Sequence, residues 1–158
     1  MMSLQHDYLP RGLGGQDMFK KILLAYDGSE ASKRAGAVAV EMASRFDGEL
    51  LVVSVIEGLA RVAQGTMNGV DEIVEERTKQ LNLAQQAVVA MADQKNVRLS
   101  RQVLPGHAVE TILQVVEKEK ADAIVMGSHG HSNLLRRIMG GTSSQVMYHA
   151  RCTVIVER

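Results

Sequence analysis

The sequence predicts an α/β fold, namely a single doubly wound sheet of five mostly parallel strands with helices on both faces. Most of the expected strands are short, continuously apolar runs, which is typical of strands covered on both sides. They alternate with longer segments whose apolar residues recur every three or four positions, as in amphipathic helices. This alternation favours right-handed crossovers between parallel strands. The expected strands are residues 22–26, 50–56, 97–103, 123–126 and 154–156.

The first third of the chain supplies two buried strands and the helix between them. Ile22 to Tyr26 is the first apolar run, and Asp27-Gly28-Ser29 interrupts it. Ser29 is a good N-cap for the next helix, because its side-chain oxygen can accept an unpaired amide hydrogen of the first turn. Asp47-Gly48 ends that helix, and Leu50 to Ile56 forms the second strand.

The middle of the chain begins with an unusually long connection, residues 57–69. Loops of this length in compact domains are usually functional or disordered. A long amphipathic helix then runs to about Gln94, and residues 97–103 alternate between apolar and polar positions, which indicates an edge strand. Pro105-Gly106 turns the chain into a third amphipathic helix, which precedes the fourth strand.

Composition and charge predict one cytoplasmic domain with an aliphatic core. Of the 158 residues, 46% are hydrophobic and only 3% aromatic, and the 18 basic and 18 acidic side chains cancel. No overall field therefore draws the protein toward nucleic acid or an anionic membrane. The single cysteine, Cys152, excludes an internal disulfide and suits a reducing compartment. Residues 1–18 are interpreted as a flexible tail without a signal-peptide core, and no apolar run approaches the roughly 20 residues that span a bilayer.

A glycine-rich segment from Gly127 to Ser143 is the strongest candidate for a functional site. It follows the fourth strand and precedes residues 145–149, which can form a short helix. Glycines allow a backbone to approach an anion closely, and the first amides of a helix have no internal partner and point toward it. The segment therefore predicts a phosphate site, with hydroxyls from Thr142 and Ser143. The alternative is that these glycines only end a strand and start a helix.

The spacing of the glycines resembles a known signature. Gly127, two residues, Gly130, nine residues and Gly140, followed by small or hydroxyl residues, are similar to the nucleotide-binding signature of the universal stress protein family. The first strand and turn, Lys21 to Glu30, and the last strand, Cys152 to Val156, resemble the same family. The resemblance implies one nucleotide-binding domain over residues 19–158 and the strand order 3-2-1-4-5. In that order the first and fourth strands end side by side where the strand order reverses, which is the usual place for a ligand.

The resemblance also implies roles for individual residues. In the nucleotide-binding branch of the family the glycine segment wraps the phosphates and ribose, the end of the first strand meets the nucleoside, and the Val55 backbone reads the adenine edge. Asp27 has an equally simple interpretation as a turn-forming or helix-capping aspartate. The expected nucleotide-binding residues are Ala25, Asp27, Val55, Met126, Gly127, His129, Gly130, Gly140, Gly141, Thr142 and Ser143.

Two details of the segment bear on the ligand. The family often carries serine directly after the third glycine, whereas this chain has Gly141, so we expect binding with altered geometry. His129 and His131 do not match the spacing of a zinc site and are expected to flank the phosphates instead. The resemblance alone indicates ATP, and Mg²⁺ would be held through its phosphates rather than by a protein site. We predict no catalytic residues.

Three functions are compatible with this pattern. The resemblance favours an ATP-binding stress-response or signalling regulator with little or no ATP hydrolysis, which acts through a protein partner. The alternatives are a nucleotide-free dimeric stress adaptor and a slow enzyme that hydrolyses ATP or transfers an adenylyl group. In each case we expect a homodimer, because the apolar last strand, Thr153 to Val156, is placed at a sheet edge, and an uncovered edge tends to pair with a second copy.

Overall fold

The computed structural model describes residues 18–58, 69–130 and 141–158. Within these residues the chain forms five strands and four helices. In chain order they are β1 (Lys21–Ala25), α1 (Glu30–Arg45), β2 (Glu49–Ile56), α2 (Val70–Gln94), β3 (Arg98–Pro105), α3 (Ala108–Glu119), β4 (Ala123–Gly127), α4 (Gly141–His149) and β5 (Thr153–Glu157).

The strands form one sheet in the order β3-β2-β1-β4-β5, and every neighbouring pair is parallel. This arrangement confirms the predicted doubly wound fold and the strand order that the resemblance implied. The chain first builds the sheet outward from β1 to β3, and then returns to the other side of β1 with β4. The carboxyl ends of β1 and β4 are consequently neighbours, with Ala25 paired to Met126.

Two aliphatic cores lie on the two faces of the sheet. One face packs against α1 and α2, and the other packs against α3 and α4. Alternate residues of β1 enter the two cores, since Ile22 and Leu24 belong to the first and Leu23 to the second. A strand that is buried on both sides needs an apolar residue at each position, which explains the continuous apolar run in the sequence.

The element boundaries differ from the predicted ones by a few residues. The α4 helix begins at Gly141, ahead of the predicted start at residue 145, so that Thr142 lies in its first turn. The β3 strand includes Pro105, which pairs with Ile56 instead of leaving the sheet at the turn. An edge strand tolerates proline, because only one side of it has to supply amide hydrogens. The N-cap prediction is confirmed, since the Ser29 hydroxyl accepts the Ser32 amide at 3.2 Å.

Several predictions fall outside the described residues. They concern the N-terminal tail up to residue 17, residues 59–68 of the long connection, and His131 and Gly140 in the glycine-rich segment. Among the residues that are described, no helix has the length and apolar character needed to cross a membrane.

Candidate functional site

A cavity of about 750 Å³ lies at the carboxyl ends of β1, β2 and β4. Its walls come from both faces of the sheet, because residues of α2, α3 and α4 all line it. Its place is the point where the strand order reverses, and its volume is in the usual range for small-molecule sites.

The cavity brings the predicted site residues together. Each predicted nucleotide-binding residue that the structure describes contributes to its lining, and only Gly140 lies outside the described residues. The lining members of the predicted set are Ala25, Asp27, Val55, Met126, Gly127, His129, Gly130, Gly141, Thr142 and Ser143.

The two ends of the cavity differ in chemistry. The end near β2 combines the apolar side chains of Val53, Val55, Leu81 and Ile112 with the polar side chains of Glu57, Arg77 and Gln80. The end near β4 consists of the loop after that strand and the first turn of α4, residues 141–143. Unpaired amides at a helix start attract anions, so the two ends suit the apolar and the anionic part of one elongated ligand.

Val55 lines the cavity, and the β1–β2 ladder stops short of it. The last paired residues are Ala25 and Val53, and the Tyr26 amide donates to the Val53 carbonyl at 2.9 Å. In a parallel ladder the backbone groups of alternate residues point to the same neighbour. Val55 therefore directs its N–H and C=O toward the side of β1, beyond the point where that strand has ended.

Asp27 shapes the turn after β1 and lies against the loop after β4. One of its carboxylate oxygens, Oδ1, accepts the Ser29 amide at 2.9 Å, which is the turn-forming role considered for it. A Cβ added to Gly130 would lie 2.7 Å from Asp27 Oδ2. The glycine thus lets the carboxylate approach the loop closely. The Ser29 hydroxyl also donates to the His129 carbonyl at 3.3 Å, which ties the same two segments together.

Gly127 has a packing role that the sequence did not reveal. A Cβ at this position would lie 2.8 Å from the backbone carbonyl carbon of Ala31 and from the Ser32 amide nitrogen. These atoms belong to the first turn of α1, which passes directly over the end of β4. A glycine is therefore required here for helix and strand to pack, whether or not a ligand is bound.

Three side chains organise the loop that leaves β4. The Ser128 hydroxyl is 2.8 Å from His129 Nδ1, and the Ser143 hydroxyl donates to the Ser128 carbonyl at 3.1 Å. His129 Nε2 is buried without a hydrogen-bond partner among the described residues. Ser143 is itself buried, so its hydroxyl fastens α4 to β4, whereas Thr142 is half-buried in the first turn of α4.

The α2 wall is tethered to the end of β1 through Tyr26. The Tyr26 hydroxyl donates to the Ala84 carbonyl at 3.1 Å, and burial raises the pKa of this phenol. The phenol therefore stays protonated and keeps its donor at neutral pH. Within the described residues no group of three or more potential metal-binding side chains is found.

Sequence reasoning missed the contribution of α2 and a polar pair behind the site. Ser54 interrupts the apolar run of β2, and Gln85 occupies an apolar position of α2, but both are buried. A lone polar residue within an apolar pattern was the available signal. It could not name the partners, because these come from distant parts of the chain.

The fold and the crevice define a doubly wound α/β protein with a cavity at the reversal point of its sheet, which is where proteins of this class usually bind a ligand. The profile of the universal stress protein family matches residues 18–158. This chain belongs to the universal stress protein family.

Relatives and solved structures agree with this assignment. The universal stress protein MJ0531 of Methanocaldococcus jannaschii is 32% identical over 145 residues, which cover 90% of this chain and 84% of the relative. A Thermus aquaticus universal stress protein is 37% identical over 142 residues, which cover 89% of this chain and all of the relative. The solved structure of universal stress protein UspA from Lactobacillus plantarum superposes with a TM-score of 0.70 at 26% identity and covers 89% of this chain and 99% of its own.

Two further solved structures share the fold and contain nucleotides. A universal stress protein from Archaeoglobus fulgidus in complex with dAMP has a TM-score of 0.65 at 20% identity and covers 89% of this chain and 99% of its own. A universal stress protein in complex with cAMP has a TM-score of 0.65 at 16% identity and covers 88% of this chain and 96% of its own.

Proposed function

We propose that this protein binds ATP in the cavity at the reversal point and acts as a stress-response or signalling regulator with little or no ATP hydrolysis. The observation that carries the proposal is the cavity itself, which joins a cluster of apolar side chains near β2 to a helix start near β4. An adenine base is flat and largely apolar, and a triphosphate is anionic, so the two ends match the two parts of the nucleotide. The complexes of two family members with dAMP and cAMP support an adenine nucleotide as the ligand class.

The base lies at the β2 end in this proposal. Val53, Ile112 and Leu81 supply apolar contacts there, and the Val55 N–H and C=O offer one donor and one acceptor to the base edge. Ala25 and Asp27, at the end of β1, meet the nucleoside. Because the Val55 groups lie past the end of the ladder, they bind the base without breaking any bond of the sheet.

The phosphates lie at the β4 end. Gly141 and Thr142 lie at the start of the described α4 helix, and the start of a helix attracts phosphate groups. Thr142 adds its hydroxyl, whereas the Ser143 hydroxyl is held by the Ser128 carbonyl and contributes to the fastening of the helix. His129, whose Nε2 has no hydrogen-bond partner among the described residues, supplies a donor beside the phosphates. Mg²⁺ is held through the phosphates rather than by a carboxylate cluster.

In this proposal the protein acts as a homodimer and regulates a protein partner. We place the homodimer contact at β5, which is the end strand of the described sheet. A second copy that pairs with β5 leaves the cavity open, because the cavity is lined by β1, β2 and β4. Nucleotide occupancy can then change the surface around the cavity that a regulatory protein contacts.

Thr142→Glu tests the phosphate end of the site. A carboxylate in the first turn of α4 favours the helix through its dipole, so the fold should persist, but it repels the phosphates. We expect the affinity for ATP, measured by isothermal titration calorimetry, to fall at least ~10-fold, which corresponds to about 1.4 kcal/mol. The affinity for adenosine, which lacks phosphates, should change much less.

A matched control places the same charge elsewhere. Ser100 is exposed on β3, near the amino end of that edge strand, and Ser100→Glu should leave ATP binding unchanged. Equal effects of the two substitutions would contradict the proposal. Wild-type protein that turns over ATP steadily in the same samples would favour the slow enzyme, and wild-type protein that ignores ATP would favour the nucleotide-free adaptor.

A further inference from the structure

Two polar side chains are buried in the largely apolar interface between α2 and the sheet. Ser54 is 1% exposed and Gln85 is fully buried. Burying polar groups is costly unless they are hydrogen-bonded, so the partners of these two residues indicate what they contribute.

The two side chains form a chain of hydrogen bonds that ends on the backbone of Tyr26. The Ser54 hydroxyl donates to the Tyr26 carbonyl at 2.6 Å, and Gln85 Nε2 donates to the Ser54 oxygen at 2.8 Å. Gln85 Nε2 also donates to the Gln102 carbonyl at 3.4 Å. The amide must present its nitrogen to these acceptors, which leaves Gln85 Oε1 buried without a partner among the described residues. Gln85 thus holds the Ser54 hydroxyl in place, while its own Oε1 stays without a hydrogen bond from the described residues.

The Tyr26 carbonyl is the acceptor that the next rung of the β1–β2 ladder would require. Since the Tyr26 amide bonds the Val53 carbonyl, the regular parallel pattern would continue with the Val55 amide donating to the Tyr26 carbonyl. The ladder instead stops at the pair of Ala25 and Val53. The Tyr26 carbonyl accepts the Ser54 hydroxyl instead of a further amide of the ladder.

We infer that Ser54, held by Gln85, is a positioning residue that ends the β1–β2 ladder and keeps the Val55 N–H available to the base of a bound nucleotide. The inference rests on the proposed function and adds a cause for base selectivity. A free backbone N–H beside a C=O matches the ring acceptor and exocyclic amine of a 6-aminopurine. A 6-oxopurine presents a donor and an acceptor in the opposite order. The site should therefore prefer ATP to inosine triphosphate.

Amide hydrogen exchange in the nucleotide-free protein tests the first half of the inference. In the wild type the Val55 amide should exchange rapidly for a residue so close to the core. Ser54→Ala frees the Tyr26 carbonyl, so the extra rung can close, and we expect at least ~10-fold slower exchange at Val55. Gln85→Met, which removes the amide and keeps most of the volume, should act in the same direction by a smaller factor. Val55 exchange that is unchanged or faster in Ser54→Ala would overturn the inference.

Nucleotide selectivity tests the second half. We expect Ser54→Ala to lower the affinity for ATP about three- to tenfold, as for the loss of one neutral hydrogen bond. The affinity for inosine triphosphate should fall less, so that the preference for ATP becomes smaller. Ser54→Thr keeps the hydroxyl and should keep the preference. Val88→Ala removes a buried side chain from the same face of α2 without touching a hydrogen bond, and it controls for lost stability.

The two halves separate the inference from the proposed function. A preference that shrinks equally in Ser54→Ala and Val88→Ala, or does not shrink in either, would contradict the positioning role. A wild-type protein that binds neither nucleotide would refute the proposed function. In that case the exchange experiment alone still decides whether Ser54 ends the ladder.

Discussion

A glycine at position 127 is favoured for two reasons, its place in the candidate site and the close packing of α1 against it. Its spacing from Gly130 matches a ligand signature, and it lines the cavity. The first turn of α1 nevertheless leaves no room for a side chain, because an added Cβ would lie 2.8 Å from backbone atoms of Ala31 and Ser32. Backbone atoms of a helix that is packed on a sheet cannot move aside as the end of a side chain can. A substitution at Gly127 therefore changes the fold as well as the site.

Gly127→Ala should destabilise the protein by about 1–3 kcal/mol, the usual cost of overpacking. Urea unfolding followed by circular dichroism measures the change. Gly141→Ala is the matched control, because a Cβ there meets no described atom within 4 Å and the residue lies in the first turn of α4. That substitution should be neutral or slightly stabilising, since alanine favours a helix more than glycine does. Equal stabilities of the two variants would contradict the packing role.

At the scale of single residues, the sequence identified the positions that form the candidate site, but it did not reveal the contacts that require these residues there. The glycine spacing and the Asp27-Gly28-Ser29 turn pointed to residues that meet at one cavity. The reasons were contacts between distant segments, such as Gly130 with the Asp27 carboxylate. The pairing of Ser54 with Gln85 was equally hidden, because a pattern within one strand or one helix says nothing about its partner.

The two helices that cover the first core are joined at the surface by Glu41. Its carboxylate accepts from Arg45 one turn later in α1 at 2.6 Å and forms an ion pair with Lys95, the C-cap residue of α2, at 2.7 Å. The Lys95 ammonium and then the Arg45 guanidinium lower the pKa of Glu41 from 4.5 to about 2. The stabilisation from these ion pairs is fully present at pH values above the ordinary pKa of 4.5. It is lost as the pH falls through the lowered pKa of about 2.

Glu41→Gln should therefore be less stable than the wild type at pH 7, and the difference should vanish as the pH falls from 4.5 to about 2. Thermal unfolding at several pH values measures the difference. The side chain is solvent-exposed, so the effect is small and 1 M NaCl should reduce it. A difference that stays constant down to pH 2 would contradict this link between α1 and α2.

At the scale of elements, the order of strands and helices was predictable because each segment carries its own period. The exceptions were the ends. The α4 start was placed too late, because Gly141, Thr142 and Ser143 have low helix propensity and are held by tertiary contacts, such as the bond from Ser143 to the Ser128 carbonyl. The strand order came from the family resemblance, since the periodicities of the segments do not specify which strands are neighbours.

At the scale of the whole molecule, β5 is an end strand of the described sheet, and we expect a second copy to pair there. In β5 the Thr153 amide donates to the Asp122 carbonyl, and the Glu157 carbonyl accepts the Ser128 amide. The backbone groups of Thr153 and Glu157 therefore point toward β4. Because alternate residues of a strand direct their backbone groups to opposite sides, Val154, which follows Thr153, directs its N–H and C=O away from β4. Met147 and Tyr148, 49% and 84% exposed, lie on α4 just before this strand and add apolar surface.

Val154→Pro should convert the dimer to a monomer without unfolding the sheet. Proline removes an outward amide hydrogen, and an edge strand tolerates this loss within the monomer. Light scattering at micromolar concentration should show a dimer for the wild type and a monomer for the variant. Ile155→Pro removes an amide that faces β4 and should instead destabilise the fold. A monomeric wild type, or a variant that remains dimeric, would contradict pairing through β5.

At the scale of the molecule, the resemblance of the glycine spacing and of the first and last strands led to the correct family, yet fold alone does not specify the ligand. The most direct measurement is to purify the protein without added nucleotide, denature it, identify the released small molecules by mass spectrometry, and titrate the same preparation with ATP and Mg²⁺. We predict recovery of an adenine nucleotide or micromolar ATP binding. An empty protein that does not respond to ATP would contradict the central claim and leave a dimeric adaptor whose glycines serve only the packing of α1 and the loop after β4.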